Sequence, residues 1–400
     1  MSVARQASVL LLWAALFPSR GLFAQRTYLP HVPATEIGLQ LRPIDPRFAP
    51  PPPFVPAVDI ATVKALYVNA WAFSSSKLWH LVRLADSTEI NAFVIDVKDD
   101  TGCLLYPSMV ATAQAIGAGD CARTRQIRAR LDTLHAHGIY PIARIVVAKD
   151  PLLAERKPGW AIRHVDGGLW RDRIESAWVD AHNDSVWIYA AQLAAEAVRL
   201  GFREIQFDYV RFPDEPAERL ATAIFPSRRR GETTRGSVQR HVRMLTERLE
   251  PLGVPVTFDV FGLTAAAQGD MGIGQVWEDF VSVADVVLPM VYPSHYYRGA
   301  YGLSRPNAHP YRVVRQALEE ALDRTARSGG RASIRPYLQA FTLGRPRYSP
   351  HEIREQIRAA EELGITSWVL WNPRSVYQRD ALRPYRTEVR AVDAVTETAP

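Results

Sequence analysis

After residue 60 the chain alternates apolar runs with amphipathic stretches, and it does so eight times. The apolar runs cover 63–71, 92–97, 140–147, 204–211, 256–262, 286–292, 334–341 and 367–371. Short apolar runs bounded by turn residues read as buried strands, and the longer stretches of helical period between them as helices. Helices are expected over 76–87, 121–137, 184–200, 237–250, 275–284, 311–327 and 350–363. Gly138, Gly201 and Gly364 fall where helix C-caps belong. Asn183 and Ser349 fall at N-caps, Ser349 with Pro350 at the first helical position. Eight strand–helix units predict an α/β fold, a single (β/α)8 TIM barrel with long βα loops. A doubly wound sheet is the rival, but it wants a Gly-rich turn after the first strand, and Trp71-Ala72-Phe73-Ser74 is not one.

The segment ahead of the pattern is different. Arg5 precedes an apolar run, 7–17, shorter than the roughly 20 residues that span a membrane. Small residues follow, with Ala24 at a cleavage position, so 1–24 reads as a secretory signal peptide. The chain is then expected to be exported, periplasmic or extracellular, with no stable membrane insertion after cleavage. Residues 25–59, with four consecutive prolines at 50–53, read as a Pro-rich arm or linker. The barrel is expected over 60–385 and a tail over 386–400.

Composition narrows the partners. Hydrophobic residues make up 47% and charged residues 22%, which excludes wholesale disorder. A net charge of +6 spread over 400 residues is too dilute to argue for nucleic acid. Two cysteines cannot build a four-thiolate zinc site. Cys103 and Cys121 both lie between the second strand and its helix, and in an oxidising compartment they are expected to form a disulfide. No metal and no cofactor is expected.

In such a barrel, chemistry sits at the C-terminal strand ends. Strand two ends on Asp96 and Lys98, which share a face by the two-residue period. Strand three carries Arg144, strand four ends on Asp208, Tyr209 and Arg211, and strand five carries Asp259. Strand seven carries Gln339. A carboxylate inside an apolar strand costs several kcal/mol unless paired, so a set converging on one rim points to a site. Two carboxylates flanking a scissile bond are the minimum for glycoside hydrolysis. Asp208 and Asp259, on adjacent strands, are the candidates, with Arg144 or Arg211 holding one of them ionised; an internal Asp–Arg network at the barrel mouth is the structural alternative.

Aromatic residues fit a sugar partner, since a ring offers an apolar face and a polar edge. Trp71, Tyr209, Tyr292, Tyr296 and Trp371 lie at or just past strand ends, with His295 among them. Trp170, in the long third βα loop with Trp160 and Trp178, is expected to be exposed and to bind polymer. Other signals are weak. The glycines at 269, 272 and 274 lack a P-loop Lys-Ser/Thr, Ser294 and His295 lack an acid relay, and Arg228-Arg229-Arg230 reads as a solvated cluster.

Several strings, in order, resemble the DUF4015 family of glycoside-hydrolase-like, α-amylase-like (β/α)8 barrels. They are FVIDVKDD (93–100), YPS (106–108), ARIV (143–146), GGLWRD (167–172), AWVD (177–180), IQFDYVRFP (205–213), PMVYPSHY (289–296), RPYLQ (335–339) and LWNP (370–373). The resemblance covers about 60–380. It implies a strand-four nucleophile, Asp208, and a strand-five acid/base, usually Glu, at which this chain has Asp259. Members often carry an acidic residue after the strand-seven Gln, where this chain has Ala340.

The sequence therefore predicts an exported glycoside hydrolase acting on a polysaccharide or oligosaccharide. Asp208 would be nucleophile or general base and Asp259 general acid. Asp96, Lys98, Arg144, Arg211 and Gln339 would support them. Trp71, Trp170, Tyr209, Tyr292, His295, Tyr296 and Trp371 would form subsites. A carbohydrate-binding barrel without catalysis is the alternative.

Overall fold

The structure is a computed structural model, and it describes residues 59–385. The expected signal peptide, the arm up to residue 58 and the tail after 385 lie outside the described residues. Eight parallel strands form the barrel: β1 (Lys64–Val68), β2 (Ala92–Lys98), β3 (Tyr140–Val146), β4 (Glu204–Asp208), β5 (Val256–Phe261), β6 (Val286–Val291), β7 (Tyr337–Gln339, after the short piece Ser333–Ile334) and β8 (Trp368–Trp371). Each pairs in parallel with its neighbours, β1 pairs with both β2 and β8, and β7 pairs with both β6 and β8, so the sheet closes on itself. The helices that lead from one strand to the next include α1 (Lys77–Asp86), α2 (Ile127–Ala136), α3 (Asp184–Leu200), α4 (Thr234–Leu249), the short α5 (Trp277–Val281), α6 (Pro310–Ser328) and α7 (Pro350–Glu361).

The period of two divides each strand between two cores. Ala65, Tyr67, Ala92, Val94, Ile142, Leu288 and Val369 fill the barrel interior. Leu66, Val68, Phe93, Ile95, Ile205, Phe207, Phe258 and Val260 face the helices. By the same alternation Glu204, Gln206 and Asp208 rise in steps up the inside of β4. The lowest step is an ion pair between Glu204 and Arg335 at 2.6 Å, both fully buried, with Arg335 Nε also donating to Ser367. The chemistry-bearing residues sit above it.

The boundaries differ from the sequence pattern for local reasons. β1 ends at Val68 because Asn69 caps a short helix, Ala70–Ser74, accepting from the Ala72 amide at 2.8 Å. β4 ends at Asp208 because Tyr209 turns into the left-handed region, φ 53°, which a bulky residue rarely adopts. The helix expected from 121 begins at Ile127. The chain before it is a loop holding a further short helix, Ala111–Ile116, and a Cys103–Cys121 disulfide with Cα atoms 5.8 Å apart. Ser349 makes a full capping box with Glu352. The third and fourth βα loops pair through a small antiparallel bridge, Arg163–His164 against Ala223–Ile224, at the C-terminal end of the barrel.

Candidate active site

The inward positions at the tops of β2, β3 and β4 bring three charged residues together. Arg144 Nη1 donates to Asp96 Oδ1 at 2.6 Å. Its Nη2 donates to Asp208 Oδ2, and its Nε reaches the same oxygen at 3.1 Å. The other Asp208 oxygen accepts from the Tyr209 amide at 2.5 Å. Tyr67, from β1, donates its hydroxyl to Asp96 Oδ2 at 2.5 Å. Burial raises the Asp96 carboxyl to about 6, against the opposing pull of Arg144 and of the Tyr67 hydrogen bond. Burial also works against the Arg144 charge, but Asp208 and Asp96 outweigh it and hold the guanidinium more firmly protonated.

Asp259 stands beside this group on β5, 1% exposed. Gln206 Nε2 donates to its Oδ2 at 3.0 Å and to the Tyr337 hydroxyl at 2.6 Å, while Asp259 Oδ1 has no partner. Arg144 Nε lies 3.1 Å from Asp208 Oδ2 and 3.8 Å from Asp259 Oδ2, so the sum of those distances, about 7 Å, is the most that can separate the two oxygens. Burial first, and the neighbouring Asp208 charge second, push the Asp259 carboxyl well above the usual carboxylate range. Two adjacent carboxyls thus occupy different environments. One is gripped by a cation; the other is dry, favours its proton and has one oxygen free.

Both carboxylates open on a cleft of about 540 Å³ at the barrel mouth. One wall holds Tyr292, His295, Tyr296 and Trp371, with Tyr292 and Trp371 stacked at 5.1 Å between ring centroids. The other holds Tyr209, Arg211, Trp178 and Phe261. Gly262 follows β5 where a Cβ would stand 2.5 Å from the Met290 carbonyl, so this loop can approach β6 only with glycine.

Four sequence expectations are corrected by the structure. Lys98 does not join Asp96. The β2–β3 register shifts between those residues, and the bulge turns Lys98 outward, where it pairs with Asp150 at 2.7 Å and donates to the Val146 carbonyl. Trp170 is not an exposed platform; it is 1% exposed and its indole N–H donates to the Arg219 carbonyl at 3.1 Å. Gln339 does not reach the carboxylates: its side chain accepts from the Ser294 amide and donates to the Phe341 carbonyl. Trp71 is 65% exposed on the short helix after β1 and is not part of the cleft lining. Ala340 is buried, its backbone tied to Trp371 and Asn372, so the position after Gln339 brings no carboxylate to the mouth.

The sequence reading missed Tyr67 and Tyr337, which look like ordinary barrel-core aromatics. Their place on the inward period of strands bearing no acid was the one available signal. It also missed Asp172, which accepts from the Trp178 indole at 2.9 Å and shapes the cleft wall. Among the described residues no group of three or more His, Cys, Asp or Glu side chains is arranged to hold a metal ion. No helix among them is long and apolar enough to cross a membrane.

Fold and mouth together define a (β/α)8 barrel of the glycosyl-hydrolase type. The chain belongs to the DUF4015 family, described as "Putative glycosyl hydrolase domain", whose model matches residues 65–377. No curated protein matches it. Among solved structures, the glycoside hydrolase domain of PgaB (BpsB) from Bordetella bronchiseptica shares the fold. It is 14% identical, with a TM-score of 0.53 over 80% of this chain and 99% of that one. A hypothetical protein from Ruminiclostridium thermocellum ATCC 27405 is 37% identical and covers 49% of this chain and 97% of its own, with a TM-score of 0.44.

Proposed function

We propose that this barrel is an exported glycoside hydrolase that cleaves a polysaccharide with Asp208 as nucleophile and Asp259 as general acid. The observation that carries the reading is the convergence of two unlike carboxyls on one guanidinium nitrogen. The limit of about 7 Å between their Oδ2 atoms is compatible with the roughly 5–5.5 Å carboxyl separation of retaining glycosidases. In the first step Asp259 gives its proton to the glycosidic oxygen as that bond breaks, and an Asp208 oxygen bonds to the anomeric carbon. In the second, the Asp259 carboxylate takes a proton from water, whose oxygen displaces Asp208. Arg144 holds Asp208 in place, Asp96 and Tyr67 hold Arg144, and the facing aromatic walls bind the rings. Export rests on the signal-peptide pattern of the first residues.

The test is release of reducing ends from cell-envelope and extracellular glycans. Wild-type protein should release them from at least one; Asp208→Asn and Asp259→Asn should lower the rate by at least about a hundredfold. The near-complete burial of Asp259 favours the second reading, a carbohydrate-binding barrel without turnover. Glycan binding with no reducing ends would establish that instead.

A further inference from the structure

Arg211 stands out in the cleft because it is buried and forms no ion pair among the described residues. It is 8% exposed and lines the cleft beside Asp208. Its guanidinium lies among the rings of Tyr209, Phe261 and Trp178, at 4.6, 4.6 and 5.2 Å from their centroids. Among the described residues its side chain makes one hydrogen bond, from Nη1 to the Phe212 carbonyl at 2.9 Å. It forms no ion pair among the described residues, and the nearby acids are otherwise engaged or open to solvent. Asp208 is held by Arg144, Asp172 by the Trp178 indole and backbone amides, and Glu215 faces Arg173 and Arg219. Asp214 is exposed. Burial pulls the Arg211 pKa down, against the opposing pull of Tyr209, Asp208 and Asp214.

A buried cation without a direct ion-pair partner is costly, and the fixed fork of a guanidinium matches a carboxylate with two parallel hydrogen bonds. Its aromatic cage fixes the plane of the fork and leaves the remaining N–H groups for the cleft. We propose that Arg211 receives a carboxylate carried by the substrate sugar, so that the glycan taken here contains uronic acid. The inference rests on the reading of this cleft as a glycan-cleaving site. A neutral glycan in the same place would leave the guanidinium unpaired, and such a mismatch discriminates strongly.

The test uses the full chain carrying Asp208→Asn, which separates binding from turnover. Oligouronates of several linkages, the same oligosaccharides after carboxyl reduction, and sulfated neutral oligosaccharides are titrated calorimetrically. At least one oligouronate should bind, with carboxyl reduction weakening it at least about tenfold. Adding Arg211→Gln should erase that difference, and Arg211→Lys should keep the preference for charge at lower affinity. Circular dichroism checks that each variant folds; if Arg211→Gln does not, the paired glycans on the Arg211 protein decide alone. Absence of oligouronate binding, equal binding of the reduced forms, or preference for sulfated sugars would overturn the proposal. Hydrolysis is scored separately with Asp208 intact. Uronate binding without reducing ends contradicts the hydrolase reading alone, and cleavage of neutral glycans without charge preference contradicts this inference alone.

Discussion

Asp96→Asn tests the balance of forces at the barrel mouth. Asp96 is a carboxyl whose burial outweighs an arginine. Its pKa rises from an ordinary 3.8 to about 6, first through burial, despite Arg144 at 2.6 Å and the Tyr67 hydroxyl at 2.5 Å. Between those pH values the folded chain keeps a proton that the unfolded chain has lost. The stability this group contributes is therefore complete below pH 3.8 and falls as pH climbs through about 6, by about 3 kcal/mol in all. Asparagine has nearly the same shape and does not titrate. Urea unfolding of both proteins at intervals from pH 4 to pH 7 isolates the effect, because other titrating groups largely cancel in the difference. The wild type should lose about 2–3 kcal/mol relative to Asp96→Asn across that interval. A flat difference, or one in which the wild type gains with rising pH, would show that Arg144 and Tyr67 outweigh burial and would refute the reasoning.

Other consequences are stability measurements. Trp170→Ala removes a fully packed indole and its bond to Arg219, and should cost about 3–5 kcal/mol in urea; a loss under about 1 kcal/mol would return Trp170 to the surface. Asp150→Ala strands Lys98 in a buried site and removes the N-cap of the Pro151–Arg156 helix, so about 3–5 kcal/mol should be lost; near-neutral behaviour would mean the pair is solvated. Replacing both Cys103 and Cys121 by serine opens a loop with a sequence separation of 18 and should lower stability by about 3 kcal/mol; unchanged unfolding would show the loop is held without the bond.

The barrel was legible because each strand and helix announces itself locally. Asp96, Arg144, Asp208 and Asp259 were legible for the same reason: an acid or arginine at the inward period near a strand end has few other places to be. Lys98 was misplaced because a single-residue bulge reverses the face of everything after it, and nothing in the local pattern of β2 encodes the bulge. Trp170 was misread because its environment is non-local. Its hydrogen-bond partner is 49 residues away, in the next βα loop, and loops carry no periodicity from which burial can be read. Tyr67 and Tyr337 were hidden by being aromatic in an apolar interior, where their hydroxyls matter and their rings do not stand out. The isolation of Arg211 is likewise a property of the assembled cleft, since only there is it clear that Arg144 has taken the neighbouring carboxylate.

The most direct measurement of the central claim is proton NMR of a glycan during cleavage, with Asp208 intact and with Asp208→Asn. If Asp208 attacks the anomeric carbon and water then displaces it, the first-formed reducing end keeps the anomeric configuration of the bond cleaved, and the variant forms almost no product. An inverted first product, or unimpaired cleavage by the variant, would contradict Asp208 as the nucleophile.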